Sequence, residues 1–197
     1  MKIRLASPNL QVDSIVDGEG IRSVLWTQGC AHNCKGCHNP QTHSFDAGHL
    51  IEVKEILKQI DKLEGQSGVT LSGGDPMFQA GPCAIIAEHC HKKNLNVWCY
   101  TGFTYEKLLE LSEKNPDILK LLSNIDVLVD GKFILEQKSF DVRFRGSKNQ
   151  RVIDVPKSLE RNEVCIKEGY EPKEELIIEK EEQKEEFIAP RQKYVFI

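Results

Sequence analysis

Four short, almost wholly apolar segments constrain the fold of this chain more than any other feature. They cover residues 23–27, 69–71, 96–100 and 125–129, and each one runs into a polar or glycine-containing turn. Strands that are apolar on both faces are typical of a parallel sheet with helices on either side. The sequence therefore predicts an α/β fold built on four parallel strands.

Stretches of helical periodicity separate these apolar segments. Apolar residues recur at near-helical spacing over 51–63, and further helices are predicted over 83–91, 105–111 and 117–123. Thr104 precedes the third of these helices and can cap its first turn. The alternation of strand and helix agrees with the α/β prediction.

The turns after the four predicted strands carry most of the chemically distinctive residues. A cysteine cluster follows the first strand, residues 72–76 (SGGDP) follow the second, Thr101-Gly102 follows the third and Asp130-Gly131-Lys132 follows the fourth. Ligands of open α/β sheets bind at the carboxyl ends of the strands. We therefore expect the four turns to converge on one site at one edge of the sheet.

Three cysteines in the first turn indicate the kind of site. Cys30, Cys34 and Cys37 form a CxxxCxxC pattern within the sequence WTQGCAHNCKGCHN. A 4Fe–4S cluster normally takes four cysteines, so three thiolates leave one iron open. An open metal position can bind and activate a substrate. The pattern therefore favours a catalytic cluster, with the three cysteines as its metal ligands.

Two non-catalytic sites remain open alternatives. A structural zinc ion could be held by the three cysteines with His32 or His38, although zinc sites usually come as two separated ligand pairs. An electron carrier of the ferredoxin kind would need a fourth cysteine, for which Cys83 is the nearest candidate.

The bulk composition excludes several classes of protein. The formal net charge of −4 argues against broad nucleic-acid binding. No apolar run is long enough to span a membrane, and no signal-peptide pattern is present, so we expect a cytoplasmic protein without a membrane partner. Of the seven cysteines, the four outside the cluster are expected to be buried apolar residues: Cys83, Cys90, Cys99 and Cys165.

Charge is distributed unevenly near the carboxyl terminus. Residues 171–186 hold eight Glu and three Lys, whereas residues 132–151 hold six Lys or Arg against two acidic residues. The acidic run is expected to be a solvated helix or a partly disordered tail. We interpret the basic run either as an exposed hairpin or as part of a docking surface for a partner protein. The predicted organisation is a domain over 1–160 with a charged extension over 161–197.

Five sequence segments together resemble a known family. These are DGEGIR at 17–22, GGDP at 73–76, YTGF at 100–103, DVLVDGKF at 126–133 and RFRGSKNQR at 143–151. With the cysteine pattern, they resemble the radical S-adenosylmethionine enzymes and, among them, the activating proteins of anaerobic (class III) ribonucleoside-triphosphate reductases. The resemblance covers roughly residues 10–160.

The resemblance implies a fold, two cofactors and two partners. The fold would be a partial (incomplete) parallel β/α barrel of the radical S-adenosylmethionine type. One 4Fe–4S cluster per chain would bind S-adenosylmethionine at its open iron and cleave it reductively. The resulting 5′-deoxyadenosyl radical would take a hydrogen from a glycine of the partner, the anaerobic ribonucleoside-triphosphate reductase. An electron donor such as flavodoxin would supply the electron.

The resemblance also implies which residues contact S-adenosylmethionine. Asp75 would accept hydrogen bonds from the amine, and His38 would lie against the adenine. No catalytic side chain beyond the cluster and cofactor is implied. The full set of implied cofactor contacts is Gly36, Cys37, His38, Gly73, Gly74, Asp75, Thr101, Asp130 and Lys132.

A second enzyme class fits the same cysteine pattern. It comprises radical S-adenosylmethionine enzymes that act on another glycyl-radical enzyme or on a small molecule, such as the 7-carboxy-7-deazaguanine synthase type. An enzyme acting on a small molecule would turn over its substrate without a partner protein.

Overall fold

A computed structural model describes residues 1–172 of the chain, which form one mixed sheet flanked by helices. The strands are β1 (Lys2–Leu5), β2 (Gln11–Ser14), β3 (Arg22–Thr27), β4 (His49–Glu52), β5 (Gly68–Gly73), β6 (Asn96–Tyr100), β7 (Val127–Asp130) and β8 (Arg151–Asp154). The helices are α1 (Val53–Ile60), α2 (Ala80–Lys92), α3 (Tyr105–Ser112), α4 (Pro116–Leu122) and α5 (Val155–Arg161). The α/β class predicted from the sequence is confirmed.

The centre of the sheet is parallel, as predicted. Strands β3, β5, β6 and β7 lie side by side in chain order, and each neighbouring pair is parallel. Leu25, Leu71, Cys99 and Leu128 pair across these four strands and are fully buried. Because parallel neighbours share their direction, their carboxyl ends meet at the same edge of the sheet.

Four antiparallel strands extend this centre and were not predicted. Strand β8 pairs with β7 at one side, whereas β1 and β2 both pair with β3, and β4 pairs with β1. The helix predicted over 51–63 is wrong at its start, because Ile51 pairs with Ile3 of β1. Pairing with a neighbouring strand outweighs the helical spacing of Ile51, and the helix begins at Val53.

The helices bury the main core against one face of the sheet. Helix α2 packs on α4, α1 and β6, and the hydroxyl of Thr104 caps α3 by accepting the N–H of Lys107. The four cysteines outside the cluster are buried as predicted. Among residues 1–172, no helix has the length and apolar character needed to cross a membrane.

The described part of the predicted extension packs on the sheet. Ile166 forms an antiparallel bridge with Ile153 of β8, and Lys167 N–H donates to the carbonyl of Val152. The hydroxyl of Tyr170 donates to Glu19 at 2.8 Å. Most of the acidic run, predicted to be a solvated helix or a partly disordered tail, lies outside the described residues.

Candidate functional site

The turns that follow the four parallel strands line one cavity of about 120 Å³. All three cysteines of the CxxxCxxC pattern contribute to it. The lining residues are Cys30, His32, Cys34, Cys37, His43, Gly73, Gly74, Tyr100, Thr101, Gly102, Gly131, Phe133 and Gln150. The structure therefore brings together the loops whose convergence the sequence predicts.

The cysteine loop is held in place by its own backbone. Gly29 N–H donates to the carbonyl of Thr42, and Cys30 N–H donates to that of His43, so the two ends of the loop are joined. The side-chain amide of Gln28 reaches the carbonyl of Ser44 at 2.8 Å. These bonds fix the loop over residues 28–44 although it contains little regular structure.

The three thiols of the loop are half-buried. Burial raises the pKa of the Cys30 thiol, and a hydrogen bond from the backbone of His32 opposes this rise. The backbone N–H of Asn39 donates to Cys37 Sγ at 3.4 Å. Cysteine binds metal as the thiolate, a form that burial disfavours at Cys30 and that the hydrogen bond from His32 favours there.

Within residues 1–172, no three His, Cys, Asp or Glu side chains are grouped so that they could hold one metal ion. All three thiols of the CxxxCxxC pattern nevertheless line the same cavity.

The SGGDP turn needs its two glycines for close packing against the cysteine loop. A Cβ on Gly73 would lie 2.6 Å from the carbonyl oxygen of Thr27, and one on Gly74 would lie 2.4 Å from that of Gly29. Gly73 also has a φ of +102°, which disfavours other residues. Both glycines line the cavity with their backbone.

The carboxylate of Asp75 lies behind the lining. It is 1 % exposed and accepts hydrogen bonds from His32, Met77, Thr101 and Gly102. Three of these four partners line the cavity themselves. Thr101, predicted to contact the cofactor, is thus both a lining residue and a partner of Asp75.

The turn after β7 presents Gly131 to the cavity, while its neighbours face elsewhere. The buried carboxylate of Asp130 pairs with Arg151 and accepts the N–H of Tyr105 at the start of α3. Lys132 is exposed. Neither Asp130 nor Lys132 belongs to the lining of the cavity, and their contacts with the cofactor stay a prediction.

Two other predicted residues lie beside the cavity rather than in its lining. The exposed ring of His38 packs against Phe133, a lining residue, with ring centroids 4.9 Å apart. Gly36 has a φ of +73°, and a Cβ there would lie 2.9 Å from the side chain of Leu135.

Gln150 is a lining residue to which the sequence analysis assigned no role. Its amide donates to the carbonyl of Gly131 and accepts the N–H groups of Gly146 and Ser147. It thereby ties the RFRGSKNQR segment to the turn after β7. The sequence offered one indication of this role, because Gln150 lies in the RFRGSKNQR segment that carries the family resemblance. The resemblance concerned the segment as a unit and assigned no role to Gln150 itself.

A second, larger cavity of about 710 Å³ lies beside the first. Its lining includes Arg143, Arg145 and Tyr170, and the guanidinium of Arg143 lies 5.0 Å from the centre of the Tyr170 ring. The basic segment 132–151 therefore contributes to both cavities.

Comparison with known proteins identifies one family consistently. A family profile described as a 4Fe-4S single cluster domain matches residues 16–153. The chain is 40% identical over 146 residues to a protein of Vibrio cholerae, covering 69% of this chain and 89% of that protein. It is 37% identical over 146 residues to a protein of Haemophilus influenzae, with the same two coverages. It is also 32% identical over 148 residues to a protein of Enterobacteria phage T4, covering 70% of this chain and 86% of the phage protein. All three relatives are described as anaerobic ribonucleoside-triphosphate reductase-activating proteins.

Proposed function

The chain belongs to the family of anaerobic ribonucleoside-triphosphate reductase-activating proteins, and we propose that it activates such a reductase by generating a glycyl radical on it. One observation carries the proposal. Three cysteine thiols line a single cavity together with the backbone of Gly73 and Gly74, at the carboxyl ends of four parallel strands. We place this activity in the cytoplasm, where thiols stay reduced.

Two cofactors fit the residues of the cavity. Cys30, Cys34 and Cys37 would hold one 4Fe–4S cluster, and S-adenosylmethionine would bind beside it. When bound, this pair supplies reductive cleavage of the sulfonium and hydrogen abstraction, as cofactors do for chemistry that side chains cannot perform.

The chain's own residues bind and orient S-adenosylmethionine and shield it from water. Gly73, Gly74 and Thr101 offer backbone and hydroxyl groups to S-adenosylmethionine, because they line the cavity beside the thiols. Phe133 covers one side and excludes water.

The remaining predicted contacts shape the rim of the cavity in this proposal. His38 supports Phe133, Gly36 lets its loop pass Leu135, and Asp130 holds the turn that presents Gly131. Lys132 is exposed on the same turn, and we expect it to contact the carboxylate of S-adenosylmethionine.

We further propose that the four parallel strands form a partial barrel whose open side is covered by the partner. Helix α2 connects β5 to β6, and α3 with α4 connects β6 to β7, which are the crossovers of a β/α barrel. The antiparallel β8 ends the series after β7. A domain over 1–160 with a charged extension over 161–197 remains our proposed division of the chain.

Cofactor cleavage without any partner tests the core of this proposal. The protein is reconstituted with iron and sulfide under anaerobic conditions, reduced, and mixed with S-adenosylmethionine. We expect 5′-deoxyadenosine from the wild type, none from Cys34→Ala, and wild-type amounts from Cys165→Ala, a buried cysteine remote in sequence from the loop. A loaded wild-type cluster that releases no 5′-deoxyadenosine would contradict the proposal. Turnover of a small molecule without partner protein would favour the other enzyme class.

A further inference from the structure

The buried carboxylate of Asp75 joins three of the loops around the cavity. Its Oδ2 lies 2.7 Å from Nε2 of His32 and accepts the backbone N–H of Gly102 at 3.0 Å. The hydroxyl of Thr101 donates to both carboxylate oxygens, and the N–H of Met77 donates to Oδ1 at 2.9 Å. An ionised carboxylate only accepts hydrogen bonds, so the imidazole of His32 is the donor.

These four donors occupy the hydrogen-bond acceptor sites of the Asp75 carboxylate. A carboxylate offers about four lone-pair sites. One imidazole, one hydroxyl and two backbone N–H groups occupy them, and the side chain is 1 % exposed. A ligand ammonium would have to displace one of these buried donors, which would leave that donor unsatisfied. This arrangement differs from the expected role of Asp75 as a partner of the cofactor amine.

His32 connects Asp75 to the thiols. It stands between Cys30 and Cys34 in the loop, and its backbone hydrogen-bonds to the Cys30 thiol. Its ring is 8 % exposed and packs edge-on against Phe103, with centroids 4.5 Å apart. A Cβ on Gly102 would lie 2.4 Å from this ring, so the ring has little room to move.

We propose that Asp75 is a positioning residue that fixes the cysteine loop through His32, and that it does not bind S-adenosylmethionine directly. The inference rests on the proposed function, because the position of the thiols matters for a cluster. Groups behind metal ligands commonly set the orientation and the affinity of the site.

A double-mutant cycle between His32 and Asp75 tests the inference. His32→Ala removes the donor, and Asp75→Asn places an amide NH₂ against the N–H of Gly102. Iron and sulfide per chain are measured after reconstitution, together with the electron paramagnetic resonance spectrum of the reduced cluster before any S-adenosylmethionine is added. We expect each variant to lower cluster affinity about tenfold. The double variant should lose little more cluster affinity than either single variant, because both changes remove the same hydrogen bond between His32 and Asp75.

Two further variants distinguish loss of the His32–Asp75 hydrogen bond from a general effect on folding. His32→Gln keeps an amide donor near the position of Nε2 and should restore most of the cluster content. His89→Ala breaks a similar contact, 2.9 Å from Asp61 on the exposed side of α2, and should leave cluster content unchanged. Thermal unfolding of the cluster-free variants checks that the chain folds.

The outcomes distinguish the inference from the proposed function. Asp75→Asn with normal cluster content and spectrum, but a weaker spectral response to S-adenosylmethionine, would assign Asp75 to cofactor binding and overturn the inference alone. Additive losses in the double variant would also overturn it. A wild-type chain that assembles no cluster would refute the proposed function, and the inference with it.

Discussion

At the scale of single residues, glycines control how closely the loops of the site approach one another. Gly73 and Gly74 lie where the turn after β5 touches the backbone of the cysteine loop and of β3. Backbone atoms cannot move aside as flexible side chains can, so an added methyl group would push the loops apart. The spacing of the thiols relative to the SGGDP turn depends on these two positions.

Replacing Gly73 by Ala should destabilise the protein far more than the same change at Gly65. Both glycines have positive φ, +102° and +81°, so both variants carry backbone strain of about 1–2 kcal/mol. A Cβ at Gly65 meets nothing within 4 Å, whereas one at Gly73 meets backbone atoms at 2.6 Å. We expect Gly73→Ala to cost about 2 kcal/mol more, because overpacking forces the backbone to shift. Urea unfolding midpoints measure the difference, and equal midpoints would contradict the packing argument.

The arginine of the DGEGIR segment supports the sheet rather than lining the cavity. The segment helped to indicate the family, yet Arg22 stands at the start of β3, and the cysteines follow the end of that strand. A strand of six residues spans about 20 Å. The buried guanidinium of Arg22 binds Thr70, Asn96 and the carbonyl of Val69, so it joins the amino ends of three strands. Arg22 thus supports the fold at the start of β3, whereas the cysteine loop begins beyond the end of the same strand.

At the scale of elements, one arginine joins two strands and a helix near the cavity. Arg151 begins β8, pairs with Asp130 at the end of β7, and forms two hydrogen bonds with Glu106 on α3. Asp130 also accepts the N–H of Tyr105. The turn that presents Gly131 to the cavity is held between these contacts.

Arg151→Met should therefore destabilise the protein strongly. It leaves the Asp130 carboxylate, 1 % exposed, without its cation, and removing one partner of a buried pair typically costs about 3–5 kcal/mol. Lys107→Met, which breaks the exposed pair with Glu110, should cost no more than about 0.5 kcal/mol. Chemical unfolding of the two variants provides the comparison. Similar losses in both would show that Arg151 contributes only as a surface residue.

The same cluster gives stability a dependence on acidic pH. The hydrogen bonds from Arg151 lower the pKa of Glu106 from 4.5 to about 2. A carboxyl whose pKa is lower in the folded state stabilises that state above its unfolded pKa, and the contribution is lost as the pH falls through the folded pKa. We expect the wild type to lose more stability than Glu106→Gln between about pH 4.5 and pH 2. The contribution is small, since the side chain is largely exposed. Parallel pH curves for the two proteins would exclude it.

The elements differ in how well the sequence predicts them, for physical reasons. The four parallel strands contain apolar runs because most of their residues are buried, and these runs are visible in the sequence. Strands β1, β2, β4 and β8 have four residues each, and several of their side chains are exposed, so their patterns are short and mixed. The convergence of the four turns could be predicted from strand direction alone. The contacts of Asp75 with His32, Thr101 and Gly102 could not, because these partners are 26 to 43 residues away in sequence.

At the scale of the whole molecule, positive charge is concentrated beside the site. Segment 132–151 lines part of both cavities and carries exposed cations, among them Lys138 and Arg143. Charge of this kind raises association rates with an acidic protein. We propose that this surface receives the electron donor, for which a flavodoxin is the candidate.

Reversing two of these charges should slow electron delivery without affecting the cluster. Lys138→Glu with Arg143→Glu is expected to lower 5′-deoxyadenosine formation driven by reduced flavodoxin about tenfold at low salt. Formation driven by dithionite should stay unchanged. Lys58→Glu on α1, also exposed, is the control. Unchanged rates and an unchanged salt dependence with flavodoxin would rule out the docking surface.

The most direct test of the proposed function is the glycyl radical itself. The reconstituted, reduced protein is mixed anaerobically with S-adenosylmethionine and an anaerobic ribonucleoside-triphosphate reductase, and the mixture is followed by electron paramagnetic resonance. We expect a glycyl radical on the reductase that requires S-adenosylmethionine and is absent with Cys34→Ala. Cleavage of S-adenosylmethionine by a fully loaded cluster, with no radical on the reductase, would contradict the proposed function.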